Sequence, residues 1–360
     1  MKRVVAAGMI AAIAATLLIA IAAGSIHLGT NATARSASDV DSGRGLLGLL
    51  ENYDGRDYAA ISRDPTLARP EIYGVRTEAA YREQRPLFGW LGWIGSLGEP
   101  DRVPITLAAL SVLSATFAVM TLGVALARHG MSEFFALGVF ALPGVLAIVY
   151  NMMPELLQLG LLAVGLLAWE MTSRGNRRWA IVALTVAAFT RESSLLVPVV
   201  LIATELPRIR TRSARRSVAL LTIPFVAYAG WIAFVRVRVG AWPFHPQSRP
   251  LTAVPFQGLV RALRTSPDRT STAVWLAVGV VVLAYALVKG RRTPWLGTAC
   301  VFALMGVFLG SVVWQRPDFF GRVLLPFYAF GAVAAGSALF ESGAFVTLRR
   351  DRSSARSGIA

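Results

Sequence analysis

The chain has 360 residues, 55% of them hydrophobic and only 16% charged, with a mean hydropathy of +0.57, which excludes an ordinary soluble domain because one this apolar would expose large greasy patches. Its net charge of +16 comes from 34 Arg and 2 Lys against 20 carboxylates. These bases are scattered through the connections between apolar runs, so they point to topology and to anionic lipid head groups and not to nucleic acid. The lone Cys300 lies in an apolar run and excludes an intrachain disulfide or a thiolate cluster, while His27, His129 and His245 show no metal-ligand spacing.

A hydrocarbon core of about 30 Å needs about 20 apolar residues of helix to cross it. The first such run is Val4 to Gly24, behind Lys2 and Arg3. A cleaved signal peptide is the rival reading, but the run is long for a signal core and predicts a retained helix. Residues 25–103 are polar, hold 11 of the 20 carboxylates and are expected to pack as short helices at the membrane surface. Within them lies Tyr53-Asp54-Gly55-Arg56-Asp57-Tyr58. An Asp-Gly pair is usually a turn, and Asp57, Tyr58 and Ile61 follow it in helical spacing. Downstream, Tyr81-Arg82-Glu83-Gln84-Arg85-Pro86-Leu87-Phe88 leads into a run with Trp90 and Trp93, residues suited to a membrane interface.

Further spans are predicted at 104–127, 132–150, 154–172, 217–236, 272–288, 294–314 and 323–345. The clusters at Arg128, Arg174–Arg178, Arg208–Arg216, Lys289–Arg292 and Arg349 onward mark cytoplasmic loops. Taken as one span, 179–205 would put Arg208–Arg216 outside. Taken as a hairpin, with limbs of about 18 and 21 Å, it leaves every basic cluster inside. Its apex would carry Thr190-Arg191-Glu192-Ser193-Ser194, which must be buried in protein or line a wet cavity. Regions 25–103, 237–271 and Gln315–Arg322 then face outward, with a small turn at Asn151–Glu155. Helix capping accounts for Glu155 at this stage. The fold class is thus an all-α polytopic membrane protein with about eight full spans, one short hairpin and an outward first loop. Residues 1–348 form a single membrane domain, 349–360 a disordered cytoplasmic tail, and both termini are cytoplasmic in the plasma membrane.

Three segments carry a resemblance. Asp54-Gly55-x-x-Tyr58-x-x-Ile61 with Arg85-Pro86-Leu87-Phe88, the segment Phe189-Thr190-Arg191-Glu192-Ser193, and Phe320-Gly321-Arg322-Val323-Leu324-Leu325-Pro326 resemble the GT-C superfamily of membrane glycosyltransferases. The bacterial relatives of phosphatidylinositol-glycan mannosyltransferases are the nearest in pattern. The resemblance implies a GT-C-like helical bundle. It also implies transfer of a sugar, of a hexosyl or mannosyl type, from a polyprenyl-phosphate donor to a glycan, lipid or protein acceptor outside the cytoplasm. Asp54 is the expected base for the acceptor hydroxyl, and Arg191, Arg322 and Arg85, in that order, are the expected phosphate binders. Asp57, Tyr58 and Glu192 complete the expected substrate-binding set.

The residues leave other readings open. Arg191 and Glu192 can neutralise each other at a helix break, and Arg322 and Arg85 can act as interfacial anchors. His245, beside Trp242, Pro243 and Phe244, can be a second acid or base or part of an aromatic belt. The chain has no pair of adjacent Asp residues, which leaves dependence on a divalent metal open, and it has no long soluble domain after its last span. The alternative function is a non-enzymatic transporter, flippase or scaffold for cell-envelope glycan assembly. A degenerate, inactive relative is a third. A transporter should carry its ionisable residues near the midplane, whereas this chain concentrates its acidic residues in the first outward loop.

Overall fold

The computed structural model describes residues 1–27, 46, 49–50, 55–68, 76–171, 174–243 and 251–341. Among them the chain is all-helical and contains no β-strand, only an isolated bridge between Leu251 and Leu309. Asp54, His245 and the 349–360 tail lie outside the described residues.

Helix α1 (Lys2–His27) shows how the bundle is built. Ala7, Ala11 and Ala15 recur every four residues and are fully buried, while Met9, Ile13, Leu17 and Ile21 on the other face are exposed. Small residues let helices approach closely where no water drives them together, and a large apolar side chain facing outward is comfortable only in lipid. The alanine stripe packs on α5 (Val103–Arg128), where a Cβ on Gly8 would meet Met120. Between them in sequence come three short helices: α2 (Gly55–Arg63), α3 (Arg76–Glu83) and α4 (Leu87–Ser96). A Cβ on Gly89 of α4 would run into Ile61 of α2, which locks the two together.

The predicted span 132–150 is divided. A 3-10 helix (Glu133–Ala141) gives way at Leu142-Pro143-Gly144 to α6 (Val145–Tyr150), with Gly144 at φ +81°. Pro143 and a left-handed glycine interrupt the helical hydrogen-bond ladder here. Then come α7 (Glu155–Glu170), α8 (Arg174–Thr190), a 3-10 turn (Glu192–Leu195) and α9 (Leu196–Glu205). Arg177 near the start of α8 lies 3.6 Å from Glu205 at the end of α9 and also donates to Ser217. The two limbs therefore start and finish at one level, with Arg191 at the bend between them. Helices α10 (Arg212–Leu221) and α11 (Ile223–Val239) follow, then α12 (Gln257–Thr265) and α13 (Arg269–Lys289). Helix α14 (Pro294–Val307) leads through the single turn α15 (Ser311–Trp314) to α16 (Pro317–Val323) and α17 (Leu325–Glu341).

Among the described residues, four helical stretches are long and apolar enough to cross a membrane: Lys2–Gly24, Pro100–Arg128, Arg212–Val239 and Arg269–Lys289. A fifth is counted if α16 and α17, bent by 67°, form one span. The other predicted spans are shorter than 18 residues or broken: α7 has 16 residues and α14 has 14. Yet α7 is almost wholly buried, and its short length goes with a place inside the bundle. The long apolar helices and apolar outward faces suit a lipid surrounding.

The bundle has two chemically different ends. At one, the His129 ring meets Trp295 edge-on at 6.4 Å, and Arg177 stands 4.8 Å from the Trp169 ring, near Glu205 and the Arg208–Arg216 segment. At the other end lie α2, α3, the hairpin bend, the start of α7, and α16.

Candidate functional site

The site grows from the hairpin bend. Helix α8 stops at Thr190 because Arg191 adopts an extended backbone (φ −162°, ψ 133°) before the next 3-10 turn begins. Gln158, one turn into α7, donates from Nε2 to Ser193 Oγ at 3.1 Å and to Ser194 Oγ at 2.9 Å, which pins the bend to the start of α7. Arg191 and Glu192 then turn to different partners. Arg191 Nη1 donates to Glu155 Oε1 at 2.6 Å, and both residues are buried. Arg322 Nε lies 3.5 Å from the same oxygen. One carboxylate oxygen therefore bridges the two arginines that head the sequence-based candidates. The other, Oε2, is buried without a hydrogen-bond partner.

Arg322 reaches Glu155 because two glycines allow a backbone-to-backbone contact. A Cβ on Gly321 would collide with the Pro143 carbonyl, and one on Gly144 would lie 2.7 Å from Asp318 O and 3.0 Å from Arg322 N. The break at 142–144 is thus the seat on which α16 rests. From there Arg322 Nη1 also reaches Met153 Sδ at 3.3 Å, in the turn that precedes Glu155.

Glu192 belongs to Arg85. The guanidinium donates from Nε to Oε2 at 2.7 Å and from Nη2 to Oε1 at 2.6 Å, a two-pronged pair, and Nη2 also reaches the Tyr81 hydroxyl at 3.3 Å. Burial disfavours both charges, but their mutual attraction outweighs it. It holds the Arg85 guanidinium above its ordinary value, with Tyr81 adding to the effect. It holds the Glu192 carboxyl down at about 2, with Arg191 adding. The Glu192 side chain keeps 37% of its surface exposed, so solvent screens the pair.

Asp57, in the first turn of α2, is buried and lies 3.0 Å from Arg82 Nη1, with Arg56 at 3.7 Å. Tyr58 is buried with its ring edge-on to Phe88 at 5.6 Å. Asp54 itself lies outside the described residues. Its covalent neighbour Gly55 sits against the turn before α7, where a Cβ would come 2.5 Å from the Asn151 carbonyl oxygen. The contacts therefore close a circuit. It runs from Gly55 and Asp57 through Arg82, Tyr81, Arg85, Glu192, Arg191, Glu155 and Arg322 to the Met153–Asn151 turn, and so back to Gly55.

Four segments hundreds of residues apart at the extremes thus supply one charged cluster at one end of an apolar bundle. Arg191, which is buried, and Arg322, which is partly buried, share one carboxylate, an arrangement with the capacity to hold an anion. Glu155 is the residue that sequence reasoning missed as a member of the site. The signal was present, since a carboxylate inside an otherwise apolar run is costly unless paired, but helix capping explained it locally. Among the described residues no three His, Cys, Asp or Glu side chains gather as a metal site, and Glu155, Glu192 and Asp57 are all engaged by arginines. Compared with protein-family models, curated proteins and solved structures, the chain matches none. The class its geometry defines is an all-helical bundle, with helices long and apolar enough to cross a membrane and a charged cluster at one end.

Proposed function

We propose that this chain is a membrane glycosyltransferase of the GT-C type, which moves a sugar of the hexose or mannose kind from a polyprenyl-phosphate donor to an acceptor on the extracytoplasmic side of the plasma membrane. The observation that carries the reading is the Glu155 bridge between Arg191 and Arg322, which gathers two cations beside the helix that begins at Gly55. An apolar bundle with an anion-holding end suits a donor that joins a phosphate to a long apolar chain. The gathering of the basic loops at the opposite end supports an orientation with that end, and both termini, in the cytoplasm.

In the reaction, the bond between the sugar carbon and the donor phosphate breaks as the acceptor oxygen attacks. Asp54 takes the acceptor's hydroxyl proton, a role that typically contributes 10²–10⁴-fold. Arg191 and Arg322 neutralise the phosphate charge as it leaves. Arg85, locked to Glu192, keeps the first loop against the hairpin bend. A transporter or flippase is the competing reading, and the clustering of paired charges at one end of the bundle favours the enzyme over it.

The test is transfer of radiolabelled hexose from synthetic polyprenyl-phosphate-hexose in detergent, where no compartments exist for transport. The wild-type chain should form labelled product. Asp54→Asn should lose at least 10²-fold while expressing and inserting normally. Undiminished transfer by that variant removes Asp54 from the mechanism, and absence of transfer by the wild type with translocation in sealed vesicles favours the flippase.

A further inference from the structure

We infer that Glu155 is a positioning residue that assembles Arg191 and Arg322 into one phosphate-binding pair; this rests on the proposed donor chemistry but assigns a role to a residue outside the catalytic set above.

Three observations carry it. First, Glu155 Oε1 alone meets both guanidinium groups, at 2.6 and 3.5 Å. Contacts of 2.6 and 3.5 Å to one oxygen put the two nitrogens no more than roughly 6 Å apart, a span that one phosphate group can meet on both sides at once. Without the carboxylate, two like charges in a low-dielectric setting repel and separate. Second, the trio is asymmetric. A purely structural pair should use both carboxylate oxygens, because a buried acceptor without a partner is costly. Here Oε2 is buried and has no hydrogen-bond partner, and both cations crowd one atom. Third, the supports are specialised. Gly144 and Gly321 permit the backbone contact that brings Arg322 within reach, and Gln158 secures the bend that carries Arg191. Glu192, the adjacent carboxylate, is withdrawn to Arg85, so Glu155 is the carboxylate that pairs with Arg191.

Glu155 lies in the first turn of α7, where the helix dipole also favours an anion. The dipole explains a carboxylate at that position but not its contact with two arginines from segments 131 residues apart in numbering (Arg191 and Arg322).

The experiment measures binding and not turnover. The full-length wild-type chain in detergent is titrated with polyprenyl monophosphate, and with the corresponding polyprenol as control, by ligand-induced thermal stabilisation. Glu155→Gln should bind the phosphate roughly tenfold more weakly or worse, with polyprenol binding unchanged. In an Arg191→Gln/Arg322→Gln background, the same substitution should have no further effect on phosphate binding, because the pair through which it acts is gone. Glu155→Asp keeps the charge but is shorter, so it should bind the phosphate with intermediate strength, which serves if the Gln variant does not fold. Wild-type phosphate affinity in Glu155→Gln or Glu155→Asp overturns the inference, as does equal loss of phosphate and polyprenol binding. So does a full additional loss in the double-arginine background. Selective phosphate binding that depends on Glu155, in a chain that transfers no sugar, would uphold this inference and sink the glycosyltransferase reading.

Discussion

Arg85 holds Glu192 by two hydrogen bonds, of 2.7 and 2.6 Å, across 107 residues of chain. The pair joins the segment before the first long connection's last helix, α4, to the bend of the hairpin, and it leaves Arg191 to turn toward Glu155. It is the fastening between the two parts of the molecule in which the sequence places its chemistry.

A double-mutant cycle should detect that fastening. Arg85→Met and Glu192→Gln should each destabilise the protein, and together by less than the separate effects added. The coupling is expected at about 1 kcal/mol, because Glu192 is partly solvated. Thermal unfolding in detergent measures it. Strict additivity would mean that the two side chains do not interact in solution.

The same pair sets a pH dependence. The Glu192 carboxyl, ordinarily near 4.5, is held at about 2 in the folded protein. A lowered carboxylate gives stability that is present above its unfolded value and is lost as pH falls toward its folded one. Wild-type stability should therefore decline between pH 4.5 and about 2 more steeply than that of Glu192→Gln. Parallel profiles for the two proteins would contradict the lowered value.

Gly144→Ala tests the seat of α16. Alanine there must adopt φ +81° and bring its Cβ to 2.7 Å from Asp318 O. The two costs together should reach roughly 2 kcal/mol or more. The substitution should also weaken polyprenyl-phosphate binding, because it displaces the backbone that carries Arg322. Unchanged stability would show that α16 does not rest on this break.

The orientation is open to chemical labelling in whole cells. In a Cys300→Ser background, Asp101→Cys should react with a membrane-impermeant maleimide added from outside. Ser213→Cys, one turn before Ser217, which meets Arg177 at the opposite end of the bundle, should react only after permeabilisation. Both positions are exposed. External labelling of Ser213→Cys would invert the topology.

Much of the architecture is legible in residue order alone. Apolar runs of about 20 residues read directly as long helices, as at Lys2–Gly24 and Arg269–Lys289, because the bilayer's thickness imposes a length. The short helices of the polar first loop and the bend at Arg191 are legible for a related reason: charge and turn chemistry interrupt apolar periodicity. The divided segment at 132–150 was less so. Pro143-Gly144 marks a break, but composition does not say that the break is a seat for another helix.

The charged cluster divides along the same line. The resemblance carried by short motifs in residue order singled out Arg85, Arg191, Arg322, Asp57 and Glu192, which lie together at one end of the bundle. Which cation meets which carboxylate was decided only by tertiary structure. Adjacent Arg191 and Glu192 part company, and Glu155, explicable by its own helix, becomes the bridge between two distant arginines. The physical reason is that bilayer thickness and helix periodicity act on stretches of consecutive residues and so leave a record in the sequence. Pairing of charges in a low-dielectric interior depends on distances of a few ångströms between segments, and those are set by how the helices pack.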